Sequence, residues 1–297
     1  MKAAEGNRVS VRNPICAGVK GNAQVRRSAL AVLSCPACRG ELSLSVTQGD
    51  GEVLEGCLAC VSCHREYAIH AGIPHFIQPQ ELTGLNQRFA RLYDHFAPVY
   101  GPSVRVALTV LVGSERRARM HLLERLELKG GRLLEVSVGP GSNLPYLFES
   151  RQVTEVYGLD ISLGQLRRCR SLVRKHGWPV ELALGMAEAL PYADESFDSI
   201  FHFGGINFFS DKQRAIEEMI RVAKPGTRVV ISDETEQAAR WYERIPGFSR
   251  EEGGQLVAMS APVNLVPQEM QEVAVREIWR RFGHAHGYVL EFRKPGG

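Results

Sequence analysis

The fold class is decided by the stretch Leu133-Leu-Glu135-Val-Ser137-Val-Gly139-Pro-Gly141-Ser-Asn143, near the middle of a chain of 297 residues. Its apolar residues predict a buried strand over 132–138. The glycines let the backbone turn sharply and lie against a ligand. A helix is predicted from Leu144 onwards. Strand, glycine turn and helix in this order are typical of nucleotide-binding α/β folds.

The region after this stretch repeats the alternation of strand and helix. Strands are predicted at 153–159, 179–184, 197–203 and 227–232, and helices at 163–175 and 212–223. This alternation favours a doubly wound α/β sheet with mostly parallel strands. Two last strands, 273–279 and 288–293, are predicted to form a terminal hairpin around Gly283 and Gly287.

The composition is that of an ordinary globular protein, with 44% hydrophobic and 23% charged residues. No apolar run approaches the roughly 20 residues of a membrane span. No run near the start is typical of a secretory signal. We therefore expect a cytoplasmic location. Residues 1–28 are predicted to be a flexible basic tail, whose composition leaves import into an organelle as an alternative.

The distribution of charge argues against nucleic acid as the main partner. The net charge is +3, and residues 1–30 carry six basic residues and one acid, so the rest of the chain carries a small excess of acids. Nucleic-acid binding depends on basic side chains that neutralise phosphates. The predicted partner is a small molecule, and the sequence makes no prediction of the oligomeric state.

Two Cys-x-x-Cys pairs predict a metal-stapled module over residues 29–79. Cys35 and Cys38 form the first pair, and Cys60 and Cys63 form the second after 21 intervening residues. Two such pairs close the tetrahedral four-sulfur site that is typical of structural Zn²⁺. All four positions are then filled by protein, so the predicted role is folding rather than catalysis. Two residues beside the second pair remain alternative ligands: Cys57 and His64.

The acid at the end of the second strand indicates the kind of nucleotide. Asp160 follows Gly141 by 19 residues and is placed to accept both ribose hydroxyls of an adenosine. A dinucleotide site needs a third glycine, where this chain has Leu144, and the charge of Glu135 would disfavour a pyrophosphate. S-adenosylmethionine carries a sulfonium and an amine but no phosphate, so an acidic loop suits it.

Several further motifs resemble those of class I S-adenosylmethionine-dependent methyltransferases, closest to the ubiquinone/menaquinone biosynthesis methylase group. They are Gly158-Leu-Asp160, Gly185-Met-Ala187-Glu188-Ala-Leu-Pro191, Asp194-Glu-Ser-Phe-Asp198 and Arg221-Val-Ala-Lys-Pro-Gly226. The similarity spans about residues 86–294. It implies a Rossmann-like seven-stranded sheet whose last strand is antiparallel, in a methyltransferase domain over residues 80–297.

The resemblance also implies a set of residues around S-adenosylmethionine. The methionine part would lie by the first glycine turn, the ribose by Asp160, the adenine by Ala187 and Glu188, and the methyl group by His202 and Phe203. Ser137 and Met186 depart from the family, which usually has glycine and aspartate there. The full predicted set is Tyr93, Glu135, Ser137, Gly139, Gly141, Asn143, Asp160, Ile161, Met186, Ala187, Glu188, His202 and Phe203.

The residues around the second cysteine pair show a second resemblance. Cys60-x-x-Cys63-His-Arg-Glu-Tyr67-Ala-Ile69-His-Ala-Gly72-Ile73-Pro74 is similar to the zinc-ribbon-like methyltransferase activator proteins, which also occur fused ahead of methyltransferase domains. The similarity covers about residues 33–78. Residues 31–79 carry two basic residues and five acids, which makes this module poorly suited to gripping RNA.

The acceptor is the least determined part of the function. His202 and Asn207 are candidate catalytic residues, because the segment after the fourth strand faces the methyl group in this fold. The aromatic residues Phe208, Phe209, Trp241, Tyr242 and Phe248 would suit an apolar lid or, alternatively, core packing. We expect a small, apolar acceptor of the quinone or lipid type. The alternatives are methylation of RNA or a translation component, and a cofactor-binding module without catalysis.

Overall fold

The computed structural model describes residues 25–48, 52–128, 130–150, 152, 155–242, 251–252, 255–256, 259–281 and 284–296. Most of the tail predicted over 1–28 therefore lies outside the described residues, as do the two residues that begin the strand predicted from Val153. The same holds for Phe248, Gly283 and the side chains of Trp241 and Tyr242.

The N-terminal module is a small antiparallel sheet with strand order β2-β4-β5-β6, beside a separate pair formed by β1 and β3. Its core is small: Leu58, Tyr67, Ile69 and Phe76 are buried together with cysteines of both pairs. A core of this size needs a further constraint to be stable. The strands are β1 Val25–Arg26, β2 Leu42–Gln48, β3 Glu52–Val53, β4 Glu55–Cys60, β5 Glu66–His70 and β6 Ile73–Pro74.

Two helices connect this module to the large sheet, α1 Gly84–Val112 and α2 Glu115–Leu123. The first helix ends at Gly113, which has a left-handed φ of 89° and donates its N–H to the Thr109 carbonyl. Ser114 then caps α2 by accepting from the Arg117 N–H. The chain between the module and the large sheet is therefore helical in two parts, the second of which ends at Leu123.

The large sheet has seven strands in the order β14-β15-β11-β10-β7-β8-β9. Five strands are parallel, and β15 runs antiparallel between β11 and β14. The predicted Rossmann-like methyltransferase sheet is thus confirmed. The elements are β7 Arg132–Val136, α3 Leu144–Glu149, β8 Glu155–Asp160, α4 Leu163–His176, β9 Val180–Leu184, β10 Ser199–Phe203, α5 Lys212–Val222, β11 Arg228–Glu234, α6 Glu236–Tyr242, β12 Glu251–Glu252, β13 Gln255–Leu256, β14 Gln271–Arg281 and β15 His284–Arg293.

The topology places a ligand site at the end of β7. This strand pairs with β8 on one side and with β10 on the other, so the strand order reverses here. In open parallel sheets the crevice beyond the carboxyl ends of the strands at such a point is where ligands bind. The residues that follow the carboxyl ends of β7, β8 and β10 therefore lie close together.

The module covers the outer edge of the large sheet. The Phe76 N–H donates to the Leu184 carbonyl at 2.8 Å, and His75 forms a parallel bridge with Leu184 at the end of β9. Nearby, the Ser34 N–H donates to the Pro191 carbonyl at 3.0 Å. The bond to Leu184 occupies a group of the edge strand β9 that would otherwise be open for pairing with another chain.

A helix that spans a membrane must be both long and apolar. Within the described residues no single helix meets both requirements. One bent pair, Gly84–Val110 with Glu115–Leu123, meets them together by length and composition alone.

Candidate functional site

The four predicted zinc ligands lie together beside the small sheet. Their sulfur atoms are all within 4.8 Å of one another, with Cys35 and Cys63 3.6 Å apart and Cys38 and Cys60 3.4 Å apart. A tetrahedral ion with Zn–S bonds of about 2.3 Å places its sulfurs roughly 3.8 Å from one another. The donor set and its spacing therefore fit a structural zinc ion.

Each cysteine pair is held by the same kind of tight turn. Arg39 and His64, the residues that follow Cys38 and Cys63, have left-handed φ values of 63° and 60°. Arg39 N–H donates to the Cys35 carbonyl at 2.7 Å, and His64 N–H donates to the Cys60 carbonyl at 3.0 Å. Among the described residues, neither alternative ligand, Cys57 or His64, belongs to the four-sulfur group.

A first cleft of about 660 Å³ opens beyond the ends of β7, β8 and β10. It is lined by eight of the residues predicted to surround the cofactor, which come from these three strands, from α1 and from the segment after β9. They are Tyr93, Ser137, Gly139, Asp160, Ile161, Ala187, Glu188, and also Phe203 at the end of β10.

Asp160 ties two loops of this cleft together. Its Oδ2 accepts the Gly139 N–H at 2.7 Å and its Oδ1 accepts the Ser162 N–H at 2.9 Å. Burial raises the pKa of this carboxyl to about 6. The side chain lines the cleft, so the remaining lone pairs of a carboxylate face the space where ribose hydroxyls are expected.

Two observations test whether this cleft fits a nucleoside. Gly139 has a left-handed φ of 56°, and a Cβ added there would meet nothing within 4 Å, so the backbone is open to a ligand. Gln165, 2% exposed, lines the same cleft, and neither atom of its amide has a hydrogen-bond partner within the described part of the chain. A buried, unpaired amide beside Asp160 suits the polar groups of a nucleoside.

The far end of the first cleft is closed by contacts between α1 and the segment after β9. Asn86 Nδ2 donates to Glu188 Oε1 at 2.8 Å and lies 3.9 Å from the Met186 sulfur. Asn86 and Glu188 line the cleft, whereas Met186 is not among the lining residues. The adenine contacts predicted for Ala187 and Glu188 stay compatible with this geometry, and the contact predicted for Met186 stays a prediction.

A second cleft of about 700 Å³ adjoins the first. Glu135 and Asn143 line it, and Asn143 Nδ2 donates to Glu135 Oε1 at 2.6 Å. Asn143 Oδ1 in turn accepts from Arg119 Nη1 at 2.7 Å. Burial raises the pKa of Glu135 to about 8, and its Oε2 has no partner among the described residues. This oxygen is available to a cation.

The two clefts meet at five shared residues. Ser137, which replaces the usual glycine, adopts a left-handed φ of 62°, so the serine takes up the conformation that glycine would supply more easily. Aromatic rings form the walls: Tyr93 and Tyr100 pack edge to face with centroids 5.4 Å apart. The shared residues are Tyr100, Ser137, Gly139, Phe203 and Gly204.

The two candidate catalytic residues line neither cleft. His202 is fully buried, its Nδ1 lies 3.0 Å from the Val136 carbonyl oxygen, and burial lowers its pKa. Asn207 is also fully buried and donates from Nδ2 to Asp233 Oδ2 at 2.8 Å. These contacts show how both side chains hold the end of β10 and the loop after it, while direct contact with an acceptor stays a prediction.

The geometry explains one predicted glycine, places two predicted aromatic residues in a cleft and adds residues that sequence reasoning missed. Gly141 does not line a cleft, but an added Cβ would lie 2.9 Å from the Cys169 sulfur, which explains why a glycine is needed there. Phe208 and Phe209, predicted as lid or core, line the first cleft. Among the lining residues that were missed, Gln165 could have been suspected, because it lies on the helix that follows Asp160. Four others required the fold: Asn86, Arg119, Trp279 and His286.

Two family models match the chain. Residues 134–231 match a model described as a methyltransferase domain, and residues 26–72 match one described as Trm112p-like protein. The first range contains β8, β10 and most of β7, whose ends form the first cleft, and the second contains all four clustered cysteines.

Curated relatives are similar to the methyltransferase part. A ubiquinone/menaquinone biosynthesis C-methyltransferase of Geobacter sulfurreducens is 29% identical over 56% of this chain and 66% of its own length. A demethylmenaquinone methyltransferase of Renibacterium salmoninarum is 33% identical over 48% and 57%. A phthiotriol/phenolphthiotriol dimycocerosates methyltransferase of Mycobacterium ulcerans is 30% identical over 48% and 54%. The chain thus spans between about half and two thirds of the length of these relatives.

Solved structures share the fold at low sequence identity. The [4+2]-cyclase SpnF superimposes with a TM-score of 0.55 at 20% identity and covers 72% of this chain and 97% of its own. A chain from the complex between the Haloferax volcanii Trm112 methyltransferase activator and a methyltransferase gives a TM-score of 0.53 at 16% identity, over 68% and 97%. The fold, the glycine turn and both family models agree: the chain resembles a class I S-adenosylmethionine-dependent methyltransferase over residues 134–231, with a Trm112p-like module of the zinc-ribbon type in front of it over residues 26–72.

Proposed function

We propose that the chain transfers a methyl group from S-adenosylmethionine to a small, apolar acceptor of the quinone or lipid type. The observation that carries this proposal is the junction of the two clefts. One cleft offers a carboxylate and a free amide to a nucleoside, and the other opens next to it at Phe203 and Gly204. A donor and an acceptor bound in adjoining clefts are held close together, which is the main contribution of a protein to methyl transfer.

Residues of both clefts would hold the methyl donor. Asp160 and Gln165 would bind the ribose and Glu188 would lie by the adenine, while Glu135 would face the charged methionine end. When bound, S-adenosylmethionine supplies a methyl group already activated by the sulfonium. A cation beside Glu135 would favour the ionised carboxylate, so binding is expected to release a proton near neutral pH.

Apolar surface around the second cleft supports the apolar acceptor. Val104, Leu108, Phe203 and Trp279 are among the lining residues. The outer face of α1 exposes further apolar side chains, which is unusual for a helix in water and suits a greasy acceptor. They are Phe96, Val99, Val106 and Val110. The printed names of the relatives refer to quinones and to phthiotriol lipids, which agrees with this choice.

The module is proposed to be a structural support. One Zn²⁺ held by Cys35, Cys38, Cys60 and Cys63 would fix the small sheet, which in turn covers the β9 edge through Phe76. The proposed division of the chain is a basic tail over 1–28, the module over 29–79 and the methyltransferase domain over 80–297. The cytoplasmic location expected from the sequence also stays a prediction.

A second candidate function is methylation of RNA or a translation component, and the match to a Trm112p-like model is the observation that favours it. The charge of the module counts against it. Its two basic residues, Arg39 and Arg65, both form ion pairs with acids, Glu218 and Glu81. Side chains paired in this way are less available to phosphates.

The first prediction concerns the class of acceptor. Purified protein is incubated with methyl-labelled S-adenosylmethionine and a fractionated cell extract. We expect the label in the lipid or small-molecule fraction, because Val104, Leu108, Phe203 and Trp279 give the second cleft an apolar wall. Heat-treated protein is the control. Label that enters RNA alone would contradict the proposed acceptor and support the second candidate.

The second prediction concerns Glu135→Gln. The folded protein keeps a proton on Glu135 up to about pH 8, whereas the unfolded chain loses it near the ordinary value, so this group lowers stability as the pH rises from about 5 to 8. The neutral amide removes that penalty. We expect the variant and the wild type to unfold at similar temperatures at pH 5, and the variant to unfold several degrees higher at pH 8.5.

The same variant is expected to bind the methyl donor about ten-fold more weakly or worse, because an amide does not attract a cation. Calorimetry at pH 7 in two buffers of different ionisation enthalpy measures both the affinity and the proton released on binding. A variant that gains stability at high pH without losing affinity would show that Glu135 does not face the methionine end.

The third prediction concerns the metal. The wild-type protein is expected to hold one zinc per chain by mass and metal analysis, Cys60→Ser to lose it, and Cys57→Ser, outside the four-sulfur group, to retain it. Because the module covers β9, loss of zinc should also speed hydrogen exchange of residues 180–184. Loss of zinc from Cys57→Ser, or unchanged exchange in β9, would contradict the assigned ligands or the supporting role.

A further inference from the structure

His286, on β15, is a buried polar side chain that the proposed site does not yet use. It is 5% exposed and lines the second cleft, and neither nitrogen of its ring has a hydrogen-bond partner within the described residues. Leaving a buried donor or acceptor unpaired is costly. A histidine that lines a cleft and has both ring nitrogens unsatisfied is therefore suited to a ligand that completes its hydrogen bonds.

The hairpin around His286 is strained in a way that shapes this part of the cleft. The pairs Ile278↔Gly287 and Arg280↔Ala285 place Trp279 directly opposite His286. Trp279 has a left-handed φ of 56°, which is rare for a bulky residue. A Cβ at Gly287 would overlap the Trp279 ring, so the glycine makes room for it. Such strain persists where the surrounding structure requires it, often at binding sites.

The wall beside His286 is aromatic. The rings of Phe203 and Trp279 lie with centroids 5.3 Å apart, and the Trp279 indole N–H donates to the Ala118 carbonyl at 3.4 Å. Because the indole N–H is already used, the wall offers an acceptor apolar ring surface. A flat ring packed there would have its polar group near His286.

The charged groups of the same cleft are one fixed cation and two acids. The Arg119 guanidinium, 4% exposed, lies 5.2 Å from the Phe203 ring centroid and lines the cleft, as do Glu135 and Glu234. Arg119 is held by Glu115 and Asn143, so its position is fixed. A fixed cation beside the aromatic wall would stabilise the negative charge of a deprotonated acceptor oxygen.

We propose that His286 binds the ring hydroxyl of a flat aromatic acceptor in the second cleft and removes its proton during methyl transfer. This inference rests on the proposed function. The acceptor oxygen forms a bond to the methyl carbon, the electron pair of the broken carbon–sulfur bond stays on the sulfur, and the hydroxyl proton passes to a ring nitrogen of His286 and then to water. General-base assistance of this kind contributes about 10²–10⁴-fold in rate.

The test measures binding and transfer separately. Two probes are titrated in the presence of S-adenosylhomocysteine: 1-naphthol, and naphthalene, which lacks the hydroxyl. The four proteins are the wild type, His286→Ala, His286→Gln and the control His284→Ala. His284 is exposed on the same hairpin. We expect the wild type and the control to bind 1-naphthol about five-fold or more tighter than naphthalene, as for one added hydrogen bond. His286→Ala should lose this preference. His286→Gln should keep part of it.

Transfer of labelled methyl to 1-naphthol should fall about 100-fold or more in both His286 variants, because neither has a base, and added imidazole should restore part of it in His286→Ala. S-adenosylhomocysteine affinity should match the wild type in all variants, which shows that each variant is folded. A hydroxyl preference absent from the wild type or kept by His286→Ala, or transfer unaffected by both variants, overturns this inference. Failure of the wild type to bind S-adenosylhomocysteine contradicts the proposed function instead.

Discussion

The two hydrogen bonds from backbone N–H groups to the Asp160 carboxylate are the constraint on which the site depends. They join Gly139, in the turn after β7, to Ser162, at the start of α4, so the ends of two parallel strands form one floor. The left-handed conformations of Ser137 and Gly139 keep this floor open to a ligand. Burial raises the pKa of the Asp160 carboxyl. Perturbed pKa values of this kind are common where ligands bind.

The N-terminal module adds a second constraint, at the other end of the sheet from the terminal hairpin. Its small core and four-cysteine group stabilise a segment whose backbone continues onto β9 at Phe76 and Leu184. The same segment leads into α1, and α1 contributes Asn86, Tyr93 and Tyr100 to the clefts. The four-cysteine group, the contact with the sheet edge and the α1 residues of the clefts are thus connected through one continuous stretch of chain.

Local patterns in the sequence were enough to predict the strands, the glycine turn, Asp160 and the cysteine group. Each of these depends on residues close together in the chain or on a spacing that a metal imposes. The orientation of His202 and Phe203 could not be predicted in the same way. Neighbouring residues of a strand face opposite sides, so a shift of one residue exchanges the buried side chain and the one in the cleft. In the structure Phe203 lines the first cleft, whereas His202 is buried.

The least predictable residues are those placed by long-range pairing. The sequence gives no signal for His286, because its position depends on the register of β14 against β15 and on the unusual conformation of Trp279. Arg119 and Asn86 likewise reach the clefts only because α1 and α2 pack across the sheet. Contact between the module and β9 is a pairing between distant segments, for which neither cysteine pair gives a signal.

The central claim is that the cleft floored by Asp160 binds a positively charged sulfur nucleoside. Titration calorimetry with S-adenosylmethionine and with NAD, on wild type and Asp160→Asn, tests it most directly. We predict that the wild type binds S-adenosylmethionine saturably and does not bind NAD. In the variant the amide would place an N–H₂ against one of the two backbone donors, so we predict that its affinity for S-adenosylmethionine falls about ten-fold or more. Binding of NAD by the wild type, or equal affinity in the variant, would contradict the account.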